Sequence, residues 1–380
     1  MQINSKLPNV GTTIFSTMSA LAREHNAINL SQGFPDFDCS PKLQERANHY
    51  IQNGFNQYAP MPGAPTLRER ISEIIQTCYG TFYHPEHEIT VTAGATQAIY
   101  TAIAAFVNKG DEVIVFEPAY DCYVPAIEVH GGIPVFSSLQ QPDFSIDWED
   151  VKSKINPKTK AILINSPHNP SGTTLSKQDL LNLQALVEGT NILVISDEVY
   201  EHMVFDGSAH QSAARFKSLA SQCILVSSFG KTVHTTGWKI GYVAAPKEIM
   251  VEFRKVHQFL VFVVNHPLQL ALADFLKDPQ NYLGLKDFYQ QKRDLFLKLT
   301  STSRLKPLPT KGTYFQLMSY QGISNEQDTE LAIRLTRESK LATIPLSVFY
   351  HHQKDDKLLR FCFAKKDETI EKAAEIICRL

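Results

Sequence analysis

From residue 89 onward, short apolar runs alternate with longer stretches in which apolar residues recur every three or four positions. The short runs are Ile89–Ala93, Val113–Phe116, Ala161–Asn165, Ile192–Ile195, Ile224–Val226 and Tyr242–Ala245. Their brevity and near-continuous apolar character predict strands buried on both faces. The stretches at about 96–108, 123–130 and 177–188 carry helical spacing, the last opened by Ser176 as N-cap. Earlier, Ser40, Pro41 and Gly54 punctuate one helix as N-cap, first helical residue and terminator. Pro65–Tyr79 predicts another, with Leu67, Ile71, Ile74, Ile75 and Cys78 on one face and Gly80 closing it. Strands alternating with helices predict an α/β layer built on a mostly parallel sheet. Helical patterns dominate from about 246 to 300. A strand at 314–318, a helix near 329–340, short strands near 342–344 and 358–363 and a last helix from about 368 follow, a mixed tail that predicts a second, smaller domain. The first 39 residues are mixed and carry turn chemistry at Gly33-Phe34-Pro35-Asp36.

Composition narrows the classes. A length of 380 residues suits two domains at about 150 residues each. Lys+Arg 37 against Asp+Glu 39 leaves a net charge of −2, which argues against a nucleic-acid or polybasic membrane binder. Hydrophobic content of 43% with 20% charged residues argues against disorder. Six cysteines without a CxxC pair predict reduced, mostly core thiols in a cytoplasmic protein. The longest greasy stretch, 260–276, is interrupted by Asn265, His266 and Pro267, and the first ten residues are polar, so neither a membrane span nor an export signal is expected. His84-Pro85-Glu86-His87-Glu88 has metal-like letters but lacks a third ligand nearby, and no metal is expected there. His351-His352 and the charges after it predict a solvated loop, and Phe259-Leu260-Val261-Phe262 predicts core.

In open α/β sheets ligands bind beyond the carboxyl ends of the strands. After the first strand comes Gly94-Ala95-Thr96, small residues at a helix start that suit a phosphate. After 161–165 comes Ser166-Pro167-His168-Asn169-Pro170-Ser171-Gly172, a turn cluster that fixes the Asn169 amide. After 192–195 come Asp197, Glu198 and Tyr200, and after 224–226 come Ser227-Ser228-Phe229-Gly230-Lys231. An anion nest, an amide, a carboxylate with a phenol, and a lysine beside hydroxyls together match what pyridoxal phosphate requires. No G-x-G-x-x-G follows a strand and no P-loop is present.

At these residues the chain resembles the class I aminotransferases among the fold-type I pyridoxal-phosphate enzymes. The lysine motif with Thr236-Gly237-Trp238-Lys239-Ile240-Gly241, the Asn165–Gly172 motif and Ser196-Asp197-Glu198-Val199-Tyr200 occur in the family's order, and the likeness runs from about Leu7 to the C-terminus. Gly33-Phe34-Pro35-Asp36, Asp121-Cys122-Tyr123 and Arg360-Phe361-Cys362-Phe363 most resemble bacterial methionine aminotransferases and the kynurenine/glutamine transaminase (cysteine-S-conjugate β-lyase) group. The resemblance implies a large cofactor-binding domain at 40–278, a small α/β domain at 279–380, and a segment 1–39 that joins the small domain. It implies that Lys231 holds the cofactor and moves the Cα proton, that Asp197 faces the ring nitrogen, and that Tyr200 and Asn169 bind the ring's phenolate oxygen. Tyr120 would stack on the ring, and Ala95, Thr96, Ser228 and Lys239 would hold the phosphate, with Lys239 standing where many relatives have arginine. Tyr58 would reach the phosphate of a second copy, making a homodimer with shared sites. Arg360 would clamp the substrate carboxylate, Gly33 would close over it with Asn169 assisting, and Phe262 would enter the neighbour's substrate pocket.

These roles imply a ping-pong exchange of an amino group between an amino acid and a 2-oxo acid. Aspartate-type relatives use a second arginine from the partner, whereas His257–His266 here holds aromatics and valines and no arginine. The expected donor is therefore apolar: methionine first, then aromatic amino acids or glutamine. A cysteine-S-conjugate β-lyase and a non-catalytic cofactor-binding regulator are the alternatives, the latter disfavoured because no basic helix-turn-helix precedes the fold.

Overall fold

A computed structural model describes residues 3–380. Thirteen strands occur in the described residues. The first is β1 (Ile28–Asn29), followed by β2 (Ile89–Thr92), β3 (Glu112–Glu117), β4 (Ile133–Ser138), β5 (Thr159–Asn165), β6 (Leu193–Asp197), β7 (Cys223–Ser228) and β8 (Gly241–Ala244). The rest are β9 (Lys306–Pro307), β10 (Phe315–Ser319), β11 (Leu341–Ala342), β12 (Ile344–Pro345) and β13 (Leu358–Cys362). Strands β2 to β8 form one sheet in the order β2-β8-β7-β6-β5-β3-β4. Only β8 runs against its neighbours. β5, β6 and β7 are almost wholly buried, as a sheet covered by helices on both faces requires. Their carboxyl ends carry Asn165, Asp197 and Ser228, so the parallel arrangement alone lines up three polar side chains, two of them candidates, along one edge.

The helices follow the expected punctuation. Besides α1 (Ile14–Glu24), they include α2 (Pro41–Gln52), α3 (Pro65–Tyr79) and α4 (Gly94–Phe106). Gly80 closes α3 in the left-handed region, at φ 78°, where a Cβ is costly. Ser176 caps the helix Lys177–Val187 through a full capping box with Asp179.

A second sheet, antiparallel in the order β12-β13-β10-β9, carries Arg360 on β13 opposite Leu317. The N-terminal residues join this part of the chain: β1 pairs in parallel with β11, and Cys362 N–H donates to the Leu30 carbonyl. One apolar core runs from Met18 and Leu30 through Phe315, Phe361 and Ile377 to Ile114 and Ile162 of the large sheet.

Several expectations change. Helix α1 is an element the expectations lack, although Ile14, Phe15, Met18, Leu21 and Ala22 keep helical spacing behind the Thr13 N-cap. β4 lies at the sheet edge with Ile133 exposed and contains Pro134, which masks a strand in sequence. The single strand expected near 342–344 divides into β11, which pairs with β1, and β12, which pairs with β13, with Thr343 between them donating its hydroxyl to the Arg360 carbonyl. All six thiols are free, but only Cys223 and Cys362 are buried; the other four, at or beside element ends, are partly exposed. His351 is not simply solvated: its ring stacks on Phe136 at 3.9 Å and its Nδ1 meets the buried Glu117 carboxylate at 2.7 Å. The 259–262 run is surface rather than core, with Phe259 87% exposed. Among the described residues no helix is long and apolar enough to cross a membrane.

Candidate active site

A cavity of about 340 Å³ opens at the carboxyl edge of the large sheet, between it and the β10–β13 sheet. Its wall includes eleven of the thirteen residues expected at the site: Gly33, Ala95, Thr96, Tyr120, Asn169, Asp197, Tyr200, Ser228, Lys231, Lys239 and Arg360. The two others, Tyr58 and Phe262, lie outside it. They meet each other on the surface, ring edge to face at 5.4 Å, with Tyr58 80% exposed.

Asp197 ends β6 and is buried. Its Oδ2 accepts a hydrogen bond from the Tyr123 hydroxyl at 2.6 Å and its Oδ1 accepts from the Val199 N–H at 3.3 Å. Burial nevertheless raises its pKa to about 6, with these hydrogen bonds pulling the other way. An isolated carboxylate here is poorly stabilised, and a cationic ring nitrogen is the partner that would relieve it.

Lys231 follows β7 on a four-residue helix. Its Nζ donates to the Tyr314 hydroxyl at 3.0 Å and to the Gly33 carbonyl at 3.3 Å. Burial lowers its pKa to about 8; Cys362 and Asp197 raise it, while Lys239 and Arg360 lower it further. A lysine held there is partly neutral near physiological pH, as a nucleophile and base must be.

Arg360 is 1% exposed. Its guanidinium lies 3.9 Å over the Phe315 ring and is flanked by Phe349 and Phe15. Nη1 donates to Asn169 Oδ1 at 2.6 Å and Nη2 to the Ser31 carbonyl at 3.2 Å, while Nε has no protein partner. A buried guanidinium satisfied only by neutral oxygens lacks its counter-ion, and a bound carboxylate would supply it.

The helix start at α4 forms the remaining wall. Ala93, its N-cap, offers no side-chain acceptor, so the first-turn N–H groups are left for a ligand. Gly94 has φ 75°, and a Cβ there would lie 3.4 Å from Lys239 Nζ. A Cβ on Gly241 would come within 2.5 Å of the Ser227 carbonyl and 3.2 Å of the Ala95 nitrogen. Glycine at 241 therefore lets β8 pass close beneath the helix start. The cavity wall carries three cations, Lys231, Lys239 and Arg360, against one carboxylate, Asp197. That balance fits a ligand bearing a phosphate at one end and meeting a carboxylate at the other. The donor nest, the glycine cradle and the unpaired Nε of Arg360 together match the polar groups of pyridoxal phosphate and its amino-acid substrate.

Sequence reasoning missed several lining or supporting residues. Tyr123 holds Asp197, and Asn165 ties the site together by donating to the Asp197 carbonyl and accepting from Asn169 N–H, both at 2.9 Å. Tyr314 touches Lys231, and Phe15, Gln32, Phe34 and Phe315 add to the wall. Tyr123 stands in a quoted motif, and Asn165 ends a predicted strand. Phe34 also stands in a quoted motif, whereas nothing local marks Phe15, Gln32, Tyr314 or Phe315; Phe315 lines the cavity through the pairing of β10 with β13, and Tyr314 precedes that strand.

The profile of the family described as aminotransferase class I and II matches residues 25–377. The chain is 50% identical over 377 residues to the methionine aminotransferase of Escherichia coli, covering 99% of this chain and 98% of that one. It is 35% identical over 410 residues to the kynurenine–oxoglutarate transaminase of Dictyostelium discoideum, covering 97% and 94%. A solved Escherichia coli structure ascribed a methionine aminotransferase function superimposes with a TM-score of 0.98 at 50% identity over the whole of both chains.

Proposed function

Because this chain belongs to the class I and II aminotransferase family, we propose that it transfers the amino group of an apolar L-amino acid, methionine foremost, to a 2-oxo acid with pyridoxal 5′-phosphate as cofactor. The observation that carries this reading is the convergence of Lys231, Asp197 and Arg360 on one cavity. When bound, the cofactor supplies an aldehyde carbon for the amino group and a ring that draws electrons from the Cα.

The chain's own residues do the rest. First-turn N–H groups at Ala95 and Thr96, the Ser228 hydroxyl and Lys239 hold the phosphate. Tyr120 lies against the ring, and Asp197 keeps the ring nitrogen protonated. Asn169 spends its Oδ1 on Arg360, which leaves its amide N–H groups, with the Tyr200 hydroxyl, for the ring oxygen. Arg360 clamps the substrate carboxylate with the donors that Asn169 and Ser31 do not use, while Gly33 lies over it. With the cofactor in place, Lys231 Nζ would take the Cα proton of the bound amino acid and hold it for return, in either direction of the exchange. This exchange is ping-pong.

Phe15 and Phe34 give the cavity wall apolar surface for a substrate side chain. Phe262 of a second copy completes it, and that copy's Tyr58 reaches the phosphate. The exposed Phe259, Leu260, Phe262 and Tyr58 cluster supports a homodimer. The pairing of β1 with β11 supports grouping 1–39 with 279–380 as the small domain and 40–278 as the cofactor-binding domain. The reading includes a cytoplasmic enzyme acting on free amino acids; aromatic amino acids and glutamine are secondary donors.

The test is kcat/KM for methionine against aspartate. Methionine is expected to lead by roughly two orders of magnitude, since a second carboxylate would meet an apolar wall at a cost of about 3 kcal/mol. Equal or faster use of aspartate would overturn the substrate assignment.

A further inference from the structure

Strand β10 is preceded by a phenol that touches the lysine. Tyr314 is 1% exposed, and neighbouring rings fix it on three sides. Tyr200 meets it edge-on at 5.2 Å, Phe315 at 4.8 Å, and Tyr289 lies tilted at 5.5 Å. The ring therefore presents its hydroxyl at one place. That hydroxyl donates its proton to the Gly33 carbonyl, so only its lone pairs face Lys231. Lys231 Nζ donates to the hydroxyl oxygen at 3.0 Å and to the same carbonyl at 3.3 Å. Three atoms from three distant segments close a triangle: the lysine after β7, the phenol before β10 and the glycine of the N-terminal segment. Gly33 fits there because it lacks a Cβ, which would lie 2.8 Å from Phe315 Cζ.

We propose that Tyr314 is a positioning residue for Lys231: its hydroxyl holds the free amine in its cationic form and thereby links the lysine's proton to the seating of the Gly33 segment on the cavity. The inference rests on the reading above only in taking Lys231 as the reacting lysine. An oxygen that accepts from an ammonium stabilises the charged form more than the neutral amine. The other groups facing Lys231 are Asp197 from β6, Lys239 from the turn before β8, Arg360 and Cys362 from β13, and the ring faces of Tyr200 and Tyr314 at 5.7 Å. Burial with Tyr200 beside it keeps the Tyr314 phenol protonated, so it serves as a neutral acceptor throughout the working range. While Lys231 is unattached, the triangle keeps it next to the site and braces Gly33. When Lys231 is drawn away, Gly33 keeps one of its two hydrogen bonds.

Competitive labelling tests this in the full chain without cofactor. Trace acetic anhydride is added across a pH series, and mass spectrometry reads the modification of Lys231 against added free phenylalanine as an internal reference. In Tyr314→Phe the half-labelling pH of Lys231 is expected to fall by about one unit, a tenfold change in its protonation equilibrium. Tyr289→Phe, which removes a buried hydroxyl without a protein partner from the same ring cluster, is expected to leave Lys231 unmoved. A Tyr314→Phe midpoint equal to the wild type, or an equal shift in Tyr289→Phe, overturns the proposal. Hydrogen exchange in Lys231→Met gives a second reading that leaves Tyr314 intact. Residues 31–34 are expected to exchange faster than in the wild type, and unchanged exchange contradicts the link. Pyridoxal phosphate uptake by the wild type is recorded separately. Its absence defeats the functional reading without touching the titration, and a null titration with normal uptake defeats only the role of Tyr314.

Discussion

Arg360 Nη1 donates to Asn169 Oδ1 at 2.6 Å, and this one hydrogen bond joins the β10–β13 sheet to the loop after β5. The two residues lie 191 positions apart, yet each settles the other's chemistry. Arg360 orients the Asn169 amide, and Asn169 leaves the guanidinium free to take a carboxylate.

Replacing Arg360 with lysine keeps a charge but loses the planar fork and the stacking on Phe315. Arg360→Lys is expected to lower kcat/KM for methionine about a hundredfold, a loss of about 3 kcal/mol for charge-assisted hydrogen bonds. Most of the effect should lie in KM, with pyridoxal phosphate still taken up and its absorbance perturbed only through the loosened Asn169 amide. Steady-state kinetics with paired spectra check it.

The buried Asp197 carboxyl, raised to about 6 mainly by burial, gives a pH signature in the cofactor-free chain. The native state holds this proton more tightly than the unfolded chain, so the stability it contributes is full below about pH 4. It is lost as pH rises through 6. Asp197→Asn cannot ionise and escapes this loss. It is therefore expected to match the wild type near pH 4 and to exceed it by about 3 kcal/mol at pH 8, while binding pyridoxal phosphate more weakly. Denaturant unfolding at the two pH values reads the gap; an advantage that shrinks with rising pH contradicts the sign.

Lys239 is the cation beside the α4 start. Lys239→Met is expected to weaken cofactor affinity by about tenfold to a hundredfold, read as fluorescence quenching on titration. Methionine KM in the saturated enzyme should change little, because the substrate carboxylate belongs to Arg360.

Tyr58 and Phe262 touch each other outside their own cavity, so their role depends on a second copy. Sedimentation is expected to give a dimer. Tyr58→Phe should lose cofactor faster on dialysis, and Phe262→Ala should lower kcat/KM for methionine roughly tenfold, the worth of partial loss of an apolar contact, without changing the mass. A monomer with full activity contradicts both.

Legibility followed locality. Lys231, Asp197, Asn169 and the Gly94–Thr96 start could be read because each follows an apolar run whose carboxyl end must face ligand in a parallel sheet. Helices α2 and α3 could be read from proline, glycine and period. Tyr314 and Phe315 were opaque because their role is set by antiparallel pairing with β13 and by Gly33, some 280 residues away. Helix α1 carried its own signal, the Thr13 cap and the spacing of Ile14, Phe15, Met18, Leu21 and Ala22, and that signal was passed over. His351 looked solvated because its partner, Glu117, belongs to the other sheet.

The most direct test of the central claim is the absorbance of the purified, cofactor-loaded protein before and after methionine. The account predicts a band in the near-visible that moves to the shorter wavelength of the aminated cofactor and returns on adding a 2-oxo acid, with Lys231→Ala unable to complete the cycle. A band that ignores methionine and every other apolar amino acid, or a protein that takes up no pyridoxal phosphate, would contradict it.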